Sequence, residues 1–157
     1  MDKLLKILAK DARLTNAQLA AMLNTTEADV AERIATLEKA GVIRGYQALV
    51  DWDKTDRELV TAEINLKIAP SKETGFDGIA EIIMSFDEVE SVSLMSGGYD
   101  LSVIITGRSF KDVAMFVAKR LSPLDGVLST ATHFVLKRYK ERGVLFTNEE
   151  KDERGQV

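Results

Sequence analysis

Residues 59–68 read LVTAEINLKI, in which Ala62, Ile64, Leu66 and Ile68 alternate with Thr61, Glu63, Asn65 and Lys67. A side-chain period of two sends one set to each face of a pleated strand, so this stretch predicts a half-buried β-strand. Before residue 41 the apolar residues instead fall three and four apart, which is helical spacing. The change of period constrains the chain more than any other feature. It calls for two differently built parts, helices first and a sheet second.

In the helical part, residues 3–12 place Leu4, Leu5, Leu8 and Ala12 at helical spacing. Thr15 with Gln18 forms a capping box, and Leu14 with Leu19 a hydrophobic staple around it. Leu19, Met22 and Leu23 then supply the buried stripe of a short helix, which Asn24 stops in a left-handed conformation. Thr26 with Asp29 caps a further helix starting at Glu27, with Val30, Ile34 and Leu37 on one buried face and Gly41 as its stop. Three short helices joined by a tight turn predict a helix-turn-helix. VIRGYQALVD, directly after, predicts a small hairpin or wing around Arg44–Gly45.

The third helix carries an apparent contradiction. TTEADVAERIATLEKAG, residues 25–41, has four acids (Glu27, Asp29, Glu32, Glu38) against two bases (Arg33, Lys39). Two of the acids belong to the helix start, where negative charge offsets the dipole by about 0.3 to 1 kcal/mol. Glu38 stands near the far end, which leaves Glu32 either to meet DNA, accepting from a cytosine amine, or to lie solvated or paired at the groove's edge. Candidates for the DNA face are therefore Thr25, Thr26, Ala28, Ala31, Glu32 and Arg33, with Arg44 as a phosphate contact from the wing. Arg33 fits a structural ion pair with Asp29 equally well. Residues 1–50 hold seven bases and six acids, so this part is far less acidic than the remainder of a chain with net charge -4.

The polar stretch 51–58, DWDKTDRE, predicts a linker. Beyond the strand at 59–68, Thr74 with Asp77 predicts a capped helix carrying Phe76, Ile79, Ile83 and Phe86. VESVSLMS and LSVIITG are strands around a GGYD turn. Ser109 with Asp112 caps a helix with Phe110, Val113, Phe116, Val117 and Leu121 inward, a packed core face and not a cofactor box. Pro123 ends it, and VLSTATHFVLKRY is a final strand. The order β-α-β-β-α-β is a ferredoxin-like arrangement, so the fold class is α+β. The domains expected are 1–50, a helix-turn-helix; 51–58, a linker; 59–140, the ferredoxin-like domain; and 141–157, a C-terminal tail whose last residues, NEEKDERGQV, are charged and frayed.

Composition narrows the function. The chain of 157 residues is 45% hydrophobic and 29% charged, a soluble globular profile. No apolar run approaches the roughly 18 residues of a membrane helix. MDKLLKILAKDAR lacks the layout of a signal peptide. The absence of cysteine removes disulfides and thiolate metal sites and fits an intracellular, cytoplasmic setting. The single histidine, His133, leaves no His–Cys pair and no two-histidine metal site, and within an alternating strand it reads as packed or surface-exposed. Neither a cofactor nor a metal is expected.

Five groups of residues, in this order, resemble the Lrp/AsnC (leucine-responsive, or feast/famine) family of transcription regulators. In the first part they are LLKILAKDARLTNAQLA, the spacing Val30, Arg33, Ile34, Leu37, Glu38, and GVIRGYQA; in the second they are GGYDLSVIITG and STATHFVL. The resemblance covers residues 3–139. It implies that the first domain binds double-stranded DNA and the second a small effector, usually an amino acid, while assembling homodimers and higher oligomers of dimers. It places the effector beside the GGYD loop. The backbone amides of Gly97 and Gly98 would take its carboxylate, Asp100 its ammonium, and Tyr99 its side chain, with Thr130 and Thr132 as further candidates. A plain tight hairpin would also need those glycines.

Two other functions fit the same plan. An enzyme of the siroheme-decarboxylase type resembles this family, although a tetrapyrrole pocket calls for more histidine and arginine. An effector-binding assembly protein could use its first domain only for protein contacts. DNA binding with a steep salt dependence separates the regulator from both.

Overall fold

The computed structural model describes residues 2–146, which form two compact units that divide between Val50 and Asp51. The first contains α1 (Lys3–Lys10), α2 (Asn16–Leu23) and α3 (Glu27–Lys39). Asp2 caps α1, Thr15 and Gln18 complete a capping box on α2, and Thr26 caps α3. Leu4, Leu8, Leu19, Ala20 and Val30 are buried at the centre, with Ile34, Leu37 and Ile43 packed against them. Asn24 adopts φ 52, and this left-handed residue turns the chain sharply from α2 into α3.

Three expectations for this unit are corrected. Helix α1 ends at Lys10 and leaves Ala12 exposed, because Asp11 is extended and its carboxylate accepts the Arg13 amide at 2.9 Å. Met22 is 60% exposed; Ala20 fills the place at the helix contact that the spacing had assigned to it. The hairpin at 42–51 does not form within the chain, where no strand is found. Gly41, at φ 68, lets the chain fold back over the end of α3. The amides of Val42 and Ile43 are then spent on the Leu37 carbonyl, at 2.9 and 3.2 Å. A first hairpin arm whose amides cap a helix has no donors left for a ladder.

The second unit opens on a single 3-10 turn, Trp52–Lys54, within the stretch expected as a linker. It continues as β1 (Val60–Ile68), α4 (Asp77–Met84), β2 (Val89–Leu94), β3 (Leu101–Gly107), α5 (Phe110–Phe116) and β4 (Val127–Phe134). The strands form one antiparallel sheet in the order β2-β3-β1-β4. This is the ferredoxin-like α+β fold. Ala62, Ile64, Leu66 and Ile68 on β1 are all buried, with Leu101, Val103 and Ile105 of β3 beside them. Ile79 and Ile83 of α4 and Val113 and Phe116 of α5 cover that face. The alternate set, Thr61, Glu63, Asn65 and Lys67, lies on the other face of the sheet, as a period of two requires.

Here too the structure departs from expectation. Thr74 does not cap α4, whose start at Phe76 has no side-chain cap. The Thr74 hydroxyl is instead 2.7 Å from that of Ser71, inside a tight turn that brings Ser71 back against Gly75. Phe110 is 55% exposed at the edge of the sheet, its ring edge-on to that of Phe134, 4.8 Å away. Helix α5 widens into a π turn over Val117–Leu121, where the Ser122 amide reaches the Val117 carbonyl at 2.8 Å. The final strand stops at Phe134, not Tyr139; its last contact with β1 is the Val135 amide on the Thr61 carbonyl at 2.9 Å. A short hairpin follows, β5 (Lys140–Glu141) with β6 (Val144–Leu145), turning on Arg142 and Gly143, both at positive φ. The turn falls at the start of the expected C-terminal tail; residues 147–157, which include the stretch NEEKDERGQV expected to fray, lie outside the described residues.

Candidate functional site

In the first unit the DNA candidates lie on and around α3. Thr26 is committed to the cap, its hydroxyl oxygen accepting the Asp29 amide at 3.2 Å. Thr25 is half-buried and donates its hydroxyl to Asp29 Oδ2 at 2.9 Å. Arg33 reaches Asp2 Oδ1 at 3.0 Å through Nη2 and Asp29 Oδ2 at 3.7 Å through Nη1. Asp2 Oδ1 also accepts the Leu4 amide at 2.9 Å. A chain of contacts, Thr25–Asp29–Arg33–Asp2, thus ties the start of α1 to the middle of α3. Of the two readings open for Arg33, the structure supports the structural ion pair.

The acids of α3 are largely accounted for. Asp29 belongs to that network, and Glu38 accepts the Tyr46 hydroxyl at 3.0 Å. Partial burial, and then Glu38 beside it, hold the Tyr46 phenol above its ordinary pKa. Glu32 is exposed and has no ion pair among the described residues. Arg44 folds its guanidinium over Gly41, 3.3 Å from where a Cβ would stand. A cation there faces the negative end of the α3 dipole.

The solvent-facing stripe of α3 therefore runs through Ala28, Ala31, Glu32, Ala35, Thr36 and Lys39, all exposed. Ala35, Thr36 and Lys39 were not among the candidates. Their signal was present, since 28, 32, 35 and 39 recur at helical spacing opposite Val30, Ile34 and Leu37. Small side chains let a helix backbone come close to a groove floor, and Lys39 supplies a cation with no ion pair among the described residues.

In the second unit the GGYD residues form an exposed loop between β2 and β3, closed by the Met95 amide on the Asp100 carbonyl at 2.8 Å. Gly97 has φ 153, and no atom lies within 4 Å of where a Cβ would stand on either Gly97 or Gly98. Tyr99 is 39% exposed. Asp100 is engaged within the chain: Oδ2 accepts the Ile68 amide at 2.8 Å, and Oδ1 meets Lys67 Nζ at 3.2 Å. The Ile68 amide, and after it Lys67, lower the carboxyl pKa below its ordinary value. Asp100 thus holds the loop to the sheet.

Thr130 and Thr132 are not brought to that carboxylate. They pair with Leu66 and Ile64 and so share the helix-covered face, whereas Asp100 shares the opposite face with Lys67. His133 is exposed opposite Glu63 on that same open face. Among the described residues no group of three or more potential metal ligands is found, and no helix is long and apolar enough to cross a membrane.

Comparison with known proteins agrees with both halves. Residues 3–44 match the winged helix-turn-helix DNA-binding model, and residues 61–145 match the Lrp/AsnC ligand binding domain. The chain is 48% identical over 153 residues to the HTH-type transcriptional regulator YugG of Bacillus subtilis, covering 97% of this chain and 92% of that one. It is 30% identical over 140 residues to the regulator LrpA of Pyrococcus horikoshii, with 88% and 96% covered. Its fold overlays a transcriptional regulator from Neisseria meningitidis, solved as a complex with L-methionine, with a TM-score of 0.73 and 27% identity over 90% and 93% of the two chains. These relatives are regulators, which sets the tetrapyrrole-enzyme alternative aside. The chain belongs to the Lrp/AsnC family, as a DNA-binding transcriptional regulator with a ligand-binding second domain and not an enzyme.

Proposed function

We propose that this regulator reads a specific DNA sequence through the exposed stripe of α3, responds to an amino acid at the GGYD loop, and acts in the cytoplasm as a homodimer or a larger assembly of dimers. The observation that carries the DNA part is the commitment of Thr25, Thr26 and Arg33 to the fold. It leaves a small-residue face with one cation, Lys39, to approach the bases. So little positive charge predicts modest affinity per subunit, made useful when a dimer engages two half-sites about one helical turn apart.

An amino-acid effector is supported by the L-methionine complex of the neisserial relative and by the open space beside Gly97 and Gly98, where a Cβ would meet no atom within 4 Å. Asp100 is held by Ile68 and Lys67, so its part is to shape the loop. Tyr99 is the side chain free to pack on the effector.

Selection of bound DNA from a random pool, with and without a mixture of amino acids, tests the whole reading. Enrichment of a two-fold-symmetric sequence that shifts with amino acids supports it. No enrichment at any salt concentration would favour the assembly-protein reading. Calorimetry with Tyr99→Ala tests the loop: unchanged affinity for the amino acid identified would refute its assignment.

A further inference from the structure

The second unit also contains a cleft of about 490 Å³ at the end of the sheet away from the GGYD loop. The loop precedes β3 at Asp100, whereas the cleft is built around Ile105, Thr106 and Gly107, roughly 20 Å further along the strand. Its volume lies within the range of about 300–1,000 Å³ usual for small-molecule sites. Its floor is apolar, formed by Ile105, Val113 and Phe116, all buried, with Leu59 and Met115 at its sides.

The rim is charged and unevenly satisfied. It carries three cations, Arg108, Lys119 and Arg120, against two acids, Glu88 and Asp112. Arg108 stands 3.9 Å from Asp112, and Arg120 3.8 Å from Glu88, both too long for a hydrogen bond. Arg120 lies 4.2 Å above the Phe86 ring, which fixes its plane. Lys119 is exposed, with no ion pair or hydrogen bond to its ammonium among the described residues. Each acid already has a guanidinium beside it, so the unmatched charge is positive.

We infer that this cleft is a second ligand site, distinct from the GGYD loop, that takes a small organic carboxylate with an apolar tail. The tail lies on Ile105, Val113 and Phe116, and the carboxylate meets Lys119 and Arg108 at the rim. The headgroup is an anion and not an amino-acid zwitterion, because an ammonium would have to compete with Arg108 and Arg120 for the two acids. Leu59 is the residue from which the chain enters β1, so an occupant touches the point where residues 51–58 join the sheet.

Three probes with one phenyl tail separate the possibilities: 3-phenylpropionate, L-phenylalanine and phenethylamine, each titrated by calorimetry into the full chain. The expected result is saturable binding of 3-phenylpropionate in preference to the other two. Lys119→Glu should weaken it by about tenfold or more, as loss of one charge-assisted contact does. Met115→Glu, which puts an acid beside the apolar floor, should weaken it similarly, and Tyr99→Ala should leave it unchanged. Both rim positions are exposed, and circular dichroism checks that each variant folds. The proposal is overturned if 3-phenylpropionate shows no saturable binding at millimolar concentration. Equal or tighter binding of either other probe overturns it too, as does affinity that follows Tyr99 and ignores both Lys119 and Met115.

Discussion

Arg33 is the residue of α3 that most resembles a DNA contact, and its geometry predicts that it is not one. The discriminating perturbations are Arg33→Gln and Asp2→Asn, alone and together. Asn remains a good N-cap, so Asp2→Asn keeps the Leu4 contact and removes only the charge facing Arg33. The pair is close, at 3.0 Å, but its side chains are 40% and 32% exposed. Solvent screening therefore limits the coupling to about 0.5–1 kcal/mol, the upper part of the range for exposed ion pairs. Urea unfolding of the four proteins measures it: each single variant should lose a similar amount, and the double variant less than their sum. DNA binding across a salt series supplies the functional test. A phosphate contact contributes about one unit to the slope of log affinity against log salt. If Arg33 braces α1 against α3, the slope stays the same in both single variants and affinity falls alike in each. A slope reduced by about one in Arg33→Gln and unchanged in Asp2→Asn would refute the bracing role.

Other consequences are checked independently. Lys39→Gln should weaken binding evenly across DNA sequences and lower the salt slope by about one, measured by fluorescence anisotropy. Ile64, fully buried at the centre of the sheet, should lose about 2–5 kcal/mol on Ile64→Ala, and a loss under about 1 kcal/mol in thermal or urea unfolding would contradict the packing described. Asp100 has a carboxyl pKa lowered in the folded state, so its contribution is complete above the ordinary carboxylate range and is lost as pH falls through the lowered value. Acid titration followed at the Ile68 amide by NMR should show this transition, and Asp100→Asn should abolish it.

Much of the architecture was legible in the chain because it rests on local patterns. The capping box at Thr15 and Gln18, the left-handed Asn24 and the Gly41 stop are decided by residues within a few positions of one another, and each stands where the pattern puts it. The alternation from Ala62 to Ile68 likewise identified the buried face of β1. Short-range signals failed where two segments competed for the same groups. The Thr74 hydroxyl goes to Ser71 and not to a helix cap, and the amides of Val42 and Ile43 go to Leu37 and not to a hairpin. The hairpin at Lys140–Leu145 escaped notice because two-residue strands are too short to show a period.

The candidate sites divide in the same way. Sequence alone placed Gly97–Asp100 in a loop and α3 in a helix-turn-helix, since glycines and helical spacing carry that information locally. Only the tertiary structure showed that Arg33 belongs to Asp2, thirty-one positions away, that Asp100 is held by Ile68 and Lys67, and that Thr130 and Thr132 face the other side of the sheet. A sequence states which groups a residue offers, but which of them remain free for a ligand depends on neighbours that only folding supplies. The charge of α3 illustrates this: its acid count is a local property, and its readiness for DNA follows from Asp29 and Glu38 already being occupied.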